Sequence, residues 1–269
     1  MPRDQYNAET ADSAWRSLYR VGGTAALTIV AIALVQMIAF ILWPPPGYEA
    51  DVGTVTGYFT LLQDNMLLGL LHLDLLLLVD YVLLVLMFLA LYIVLRQVSQ
   101  SFMAIAMALV FVGIATYFPS NIAFSMLSLS DQYAATTTDT QRTMLLASGQ
   151  ALLTSLQSST FYVSYILMSA AGLIISSVML RSNNNIFFSK LTAYVGILAS
   201  VLGLGLFVPT IGLLLSLISL IPTLMWYILL ARRLFRLSWQ SEEATKVIDF
   251  LFFIPLQFEG NNNNPHRSN

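Results

Sequence analysis

Six stretches of the chain are apolar over about 20 residues each, the length a helix needs to cross a hydrocarbon layer at 1.5 Å rise per residue. They run over residues 21–43, 75–95, 102–122, 158–180, 191–208 and 211–230. No other feature constrains the fold as strongly. With 57% of its residues hydrophobic and 10% charged, against about 25% charged in a typical soluble domain, the chain carries more apolar surface than one core can bury. Lipid must cover the rest. The expected fold is all-α: a polytopic six-helix transmembrane bundle, residues 21–231, between a cytoplasmic segment 1–20 and a cytoplasmic tail 232–269. The first stretch is too long for a signal peptide and is followed by Pro44-Pro45-Pro46-Gly47 rather than a small-residue cleavage pattern, so it is read as a retained span.

Charge sets the orientation. Six spans put Arg3, Arg16, Arg20, Arg96, Arg181, Lys190, Arg232, Arg233, Arg236, Lys246 and Arg267 on one side, and Arg142 alone on the other. Glu49, Asp51, Asp64, Asp131 and Asp139 share the side of Arg142. Because positive loops stay inside, both termini are expected in the cytoplasm of a cell that inserts this chain into its plasma membrane. Trp15, Tyr19, Trp43 and Trp239 flank span ends as interfacial aromatics do.

Two amphipathic stretches, 58–74 and 141–157, precede spans two and four. Both read as outward extensions of those spans, making the second and fourth helices long, with surface-lying or re-entrant segments as alternatives. In the tail, Val247 to Leu256 is apolar but half a spanning length and contains Pro255. It suits docking or an interfacial position, with Phe250, Phe252 and Phe253 as the candidate contacts. The terminal NNNNPHRSN is low in complexity and reads as disordered.

Missing residue types exclude much chemistry. There is no cysteine, which removes disulfides, thiolate nucleophiles, iron–sulfur clusters and thiolate zinc sites. His72 is the one histidine near a span, because His266 lies in the tail. Bis-histidine haem and multi-histidine zinc therefore lack ligands, and no phosphate-loop or G-x-S-x-G pattern occurs. The pair Gly203-x-Gly205 lies inside a span without a preceding strand, so it is no dinucleotide fingerprint. Gly196, Ser200 and Gly203 read instead as small residues permitting close helix packing. No cofactor, metal or catalytic residue is expected. A net charge of -2 argues against nucleic acid as a partner.

What survives is HLDLLLLVDY, residues 72–81. An intramembrane carboxylate costs about 2.5–3.5 kcal/mol to insert, faces the bundle interior and has partners or a function. Asp80 is that residue. On one continuous helix His72 would lie ~12 Å along the axis from it and Asp74 about 120° around, so the three form no preformed catalytic group. Their partners must come from other helices. Asn121, beside Pro119 in span three, and Gln157 are the candidates. Two polar stripes lead into and along span four: Gln150, Thr154, Gln157, Phe161, Ser164 and Met168, then Ser155, Ser158, Tyr162, Tyr165, Ser169 and Gly172. At least one should face the bundle. The candidate proton or ligand site is thus Asp80, His72, Asp74, Asn121 and Gln157. The structural alternative for the hydroxyls is interhelical hydrogen bonding worth about 0.6 kcal/mol each.

Several short patterns together resemble a family. The entry WRSLYRVGG to span one, ALYIVLRQV closing span two, FFSKLTAYVGILAS entering span five and the exit WYILLARRLF are similar to a widespread prokaryotic family of six-span membrane proteins, known as a domain of unknown function (number 4386). The resemblance covers about residues 14–237. It implies six helices in a prokaryotic plasma membrane and transfers no activity or site. The carboxy-terminal extension and the histidine–aspartate stretch depart from the family.

The lack of catalytic residue types, the small-residue span surfaces and the apolar tail point first to a non-catalytic accessory or scaffold subunit of a membrane complex, with protein partners or self-association in the bilayer. The alternative is a small transporter or ligand-binding protein using a polar cavity around Asp80. A lipid-modifying enzyme ranks last, having only His72, Asp74 and Asp80 to recruit.

Overall fold

The computed structural model describes residues 15–44, 54–156, 159–182 and 188–253, with residues 240–253 described by backbone alone. Among the described residues there is no strand. In chain order the helices are α1 (Arg16–Leu42), α2 (Thr54–Asp64), α3 (Met66–His72), α4 (Leu75–Leu95), α5 (Gln100–Tyr117), α6 (Ala123–Ala135), α7 (Asp139–Leu156), α8 (Ser159–Arg181), α9 (Lys190–Leu204) and α10 (Gly212–Phe253). Six helical stretches are long and apolar enough to cross a membrane: α1, α4, α5 with α6, α7 with α8, α9 with its following turn, and Leu214–Trp239 within α10.

The spans close into a ring. Helix α1 packs on α4, α4 on α5, α5 on α8, α8 on α9, α9 on α10, and α10 returns to α1. Helix α4 lies deepest, with 50% of its most apolar window buried against 22% for α1. Its Met87, Phe88, Leu91 and Leu95 meet Met103 of α5, Ile175 of α8, and Leu230 and Leu234 of α10 in one core. On the outside, Val35, Ile38, Ile41, Val82, Ile105, Val112, Leu198, Val201, Leu217 and Ile221 are exposed, the apolar faces a bilayer would cover. In such a setting close packing holds helices together, because lipid tails are as apolar as leucine. The small residues of α9 serve that purpose, and Gly196, Ser200 and Gly203 are all buried.

The two ends of the ring differ. At one, the Arg96 guanidinium lies 5.7 Å from the Trp15 ring and Arg181 5.0 Å from the Phe102 ring. At the other, α2, α3, α6 and α7 form a cap with its own apolar core, built on Tyr58, Phe59, Leu62, Leu70, Leu73, Ile122 and Met126. Arg142 sits over the Tyr133 ring of this cap. Gln63 and Ser130 tie α2 to α6, Gln63 Nε2 donating to the Ser130 carbonyl at 3.2 Å and Ser130 Oγ to the Phe59 carbonyl at 3.0 Å.

Three boundaries differ from the sequence reading. The stretch 58–74 is no extension of span two but two separate helices. Asn65 starts the second by accepting from the Leu68 N–H at 3.1 Å, an N-cap that ends one helix and begins another. Asp74, at φ 59°, is left-handed and cannot continue a right-handed helix. Span three ends at Tyr117, a 3-10 turn holds Pro119, and α6 begins afresh; proline has no N–H to continue the helical ladder and favours such a first turn, although α10 accommodates Pro222 in its interior. Helix α10 does not stop at the charged cluster; it continues to Phe253.

Candidate functional site

Asp80 stands one and a half turns into α4, about 8 Å from its first residue. Asp80, Leu84, Met87, Leu91 and Leu95 follow one another at spacings of four and three, and all are buried. The same periodicity that aims the leucines inward therefore aims the carboxylate inward. Asp80 is 5% exposed, and no donor among the described residues reaches its Oδ1. Two tyrosines of other helices lie near it, within a small aromatic and hydroxyl network. Tyr81 stacks on Tyr117 with ring centroids 4.0 Å apart and planes 5° apart. Tyr117 of α5 and Tyr227 of α10 both lie within electrostatic reach of the Asp80 carboxyl. The Tyr81 and Ser164 hydroxyls are 3.1 Å apart, as are those of Tyr165 and Ser216. Within α8 both stripes thus reach the bundle, Ser164 of one meeting α4 and Tyr165 of the other meeting α10, whereas Gln150 and Thr154 of the first stripe are exposed on α7.

His72, Asp74 and Asn121 meet elsewhere, where the cap joins the ring. His72 Nδ1 lies 2.8 Å from the Leu68 carbonyl, and Nε2 lies 2.5 Å from the Trp43 carbonyl at the end of α1. The Phe40 ring packs 5.2 Å from the imidazole. A neutral imidazole donates to only one of those two carbonyls, whereas an imidazolium donates to both. Asp74 Oδ1 accepts from Gln36 Nε2 of α1 at 2.9 Å. Asn121 Nδ2 donates to the Asp74 carbonyl at 3.0 Å, and its Oδ1 accepts from the Ala123 N–H at 3.1 Å, opening α6. One asparagine therefore joins the break before α4 to the break before α6. Gln157 lies outside the described residues.

The two places adjoin through Tyr117, which bonds to Asn121 and lies within reach of both the Asp74 and the Asp80 carboxyls. His72, Asp74 and Asn121 form a latch holding α1, α3, α4 and α6 in register, and Asp80 lies below it in the ring. Gln36 and Tyr227 belong to these sites without having been singled out by sequence reasoning. A lone glutamine in an apolar run is the signal that could have flagged the first. For Tyr227, next to Trp226 near a span end, an interfacial reading competes.

Burial pushes the Asp74 carboxyl up to about 6 from its ordinary 3.8, with the Gln36 hydrogen bond and the nearby His72 opposing the rise. The Tyr58 hydroxyl is pushed up by burial and then by the Asp74 charge. Below about pH 4 the Asp74 carboxyl is protonated in folded and unfolded chains alike. As pH rises towards 6 the unfolded chain gives up its proton first, so stability falls across this window and the loss is complete above it. Gln36, Tyr58, His72, Tyr81, Tyr117 and Asn121 all face this group or lie within reach of its charge. Asp74→Asn keeps an acceptor for Gln36 and suits the left-handed backbone. It is therefore expected to flatten the fall in thermal midpoint between about pH 4 and 6; an unchanged slope would assign that pH dependence elsewhere.

His72→Ala is expected to cost about 1–3 kcal/mol by removing the buried ring that lies between the Leu68 and Trp43 carbonyls. Amide exchange should quicken across α3, Met66–His72. Unaltered exchange there would show that the imidazole does not hold the cap.

The chain matches no family model, curated protein or solved structure in comparison with known proteins.

Proposed function

We propose that this chain is a non-catalytic membrane protein of the small transporter or ligand-binding kind, whose interior carboxylate Asp80 takes up a proton or a small cation. One observation carries the reading: a carboxylate faces the middle of a six-helix ring with Oδ1 buried and no donor reaching it among the described residues. An ionisable group so placed is costly, and its usual justification is an ion or substrate pathway. The hydroxyls of Tyr117 and Tyr227, within electrostatic reach of the carboxyl, can act as donors or acceptors towards whatever binds.

The test is infrared difference spectroscopy of the protein in vesicles across a pH jump, paired with proton and sodium uptake. A carboxyl band lost in Asp80→Asn, together with loss of uptake, is the expected result. If Asp80→Asn leaves both the spectrum and the uptake as in the parent, the carboxylate has no such role.

The accessory-subunit reading keeps one observation of its own. Helix α10, 42 residues long, extends about 63 Å, roughly twice the hydrocarbon thickness. Its far end carries Phe250, Phe252 and Phe253, whose side chains lie outside the described residues. Such a helix suits a protein partner at the basic end of the bundle. Extraction in mild detergent decides this: stoichiometric foreign chains support it, and a particle of this chain alone removes it.

A further inference from the structure

The apolar interior of the chain is divided where the cap meets the ring. Leu75 packs on the cap core, and Leu77, two residues on, packs on the ring core. Tyr117 belongs to the ring core and Ile122 to the cap core. Both divisions fall at breaks in the helices: the left-handed Asp74 before α4, and the 3-10 turn Phe118–Ser120 before α6. We propose that the cap is a lid over the Asp80 site, hinged at these two breaks and held shut by the contacts of His72 and Asp74 with α1. This deepens the reading of Asp80 as a binding carboxylate and rests on it.

A lid needs a body, a hinge and a catch. The body is the cap, whose own apolar core and whose tie from Gln63 to Ser130 let it turn as a unit. Hinges are a few element-end residues that absorb the rotation. Here the two breaks lie side by side, because Asn121 of the second donates to the Asp74 carbonyl of the first at 3.0 Å. They therefore bend together. The catch lies on α1. Gln36 Nε2 donates to Asp74 Oδ1 at 2.9 Å, His72 Nε2 lies 2.5 Å from the Trp43 carbonyl, and the Phe40 ring packs on the imidazole. Gln36 and Phe40 are four apart and share one face of that helix. Polar contacts of this kind are modest in net strength, because water replaces each partner on release. An interlocked apolar core has no such substitute.

The hinge lies next to the site. Asp80 is six residues beyond Asp74, about 9 Å along α4. Tyr117, the last residue of α5, is buried and stacked on Tyr81, and it lies within reach of both carboxyls. The chain passes directly from Tyr117 into the second hinge, so a turn of the cap shifts the side chain standing between Asp80 and the junction. Closed, the lid keeps water from the carboxylate; open, it admits what binds there.

The chain has no cysteine, so an introduced thiol reports alone. Asp80→Cys is placed in nanodiscs, and its reaction with a water-soluble methanethiosulfonate is timed with and without Gln36→Leu or His72→Ala. Gln63→Ala, which loosens the cap within itself and leaves the catch intact, is the control. Each catch substitution should quicken labelling about five- to tenfold, the factor that one net hydrogen bond carries in an opening equilibrium. Gln63→Ala should leave the rate unchanged. Gln36→Leu lies on α1, outside the cap, and keeps the test sound should His72→Ala fail to fold. Equal rates throughout, or the same gain in Gln63→Ala, overturn the lid. In a chain that retains Asp80, Phe40→Cys and His72→Cys are then joined by a short bifunctional maleimide, which replaces the catch with a covalent strap. Proton and sodium uptake should stop on joining. Uptake that persists through the strap overturns the lid and leaves the reading of Asp80 standing. Quickened labelling in a chain whose parent shows no uptake supports the moving cap and removes that reading.

Discussion

Gly196→Ala is expected to lower the stability of the bundle by about 1–3 kcal/mol, the usual cost of overpacking, although alanine is the better helix former by about 1 kcal/mol. Three helices meet at this point. A Cβ on Gly196 would collide with Ser176 Oγ of α8 and lie 2.6 Å from Trp226 Nε1 of α10. Serine is too short to swing far, and the indole is rigid and 4% exposed, so the helices must separate. Gly203→Ala, two turns along the same helix, supplies the contrast. Its Cβ would lie 3.3 Å from Ser169 Oγ and 3.5 Å from Tyr165 Oη, which is tight but accommodated by small shifts. Thermal unfolding in detergent should therefore separate the two alanines, with Gly196→Ala well below the parent and Gly203→Ala close to it. Adding Ser176→Ala should recover part of the loss at position 196. Equal midpoints for the two glycine variants would show that α9 does not depend on this close approach.

The six long apolar helices were legible because apolarity sums over a window: some twenty apolar residues agree, and a few polar ones such as Gln36 or Ser216 do not undo them. Small residues were legible for a related reason, since Gly196, Ser200 and Gly203 recur on one face. The break before α4 was not. It rests on Asp74 in a left-handed backbone, and aspartate is a weaker signal of such a turn than glycine. The latch was hidden because His72 meets the carbonyls of Leu68 and Trp43, and a backbone carbonyl leaves no trace in residue type. Helix α10 shows a different failure. After Arg236 the composition turns polar, which marks the limit of the apolar span and not of the helix. Nothing from Leu237 to Phe253 is glycine or proline, so no breaker ends the backbone there. Asp80 was legible as a costly exception, but its tyrosine neighbours Tyr117 and Tyr227 come from two other helices of the ring and are joined to it only by the fold.

Asp80→Leu is expected to stabilise the protein by about 1–3 kcal/mol while removing ion uptake. An acceptor buried without a donor costs about that much, and leucine exchanges it for contacts with the core that already holds Leu84 and Met87. The larger side chain opposes the gain, because overpacking carries its own cost. Asp80→Asn, nearly the same size as the parent residue, separates the two effects: it should not destabilise the fold at all. Stability rising where function falls is the pattern of a residue retained for its chemistry. Thermal midpoints of both variants at neutral pH, measured on the preparations used for uptake, give the answer. A midpoint lowered in Asp80→Asn would mean that the carboxylate holds the ring together, through Tyr117, Tyr227 or another donor that reaches it in the membrane. In that case the buried acid is part of the packing, and its place in the ring is structural.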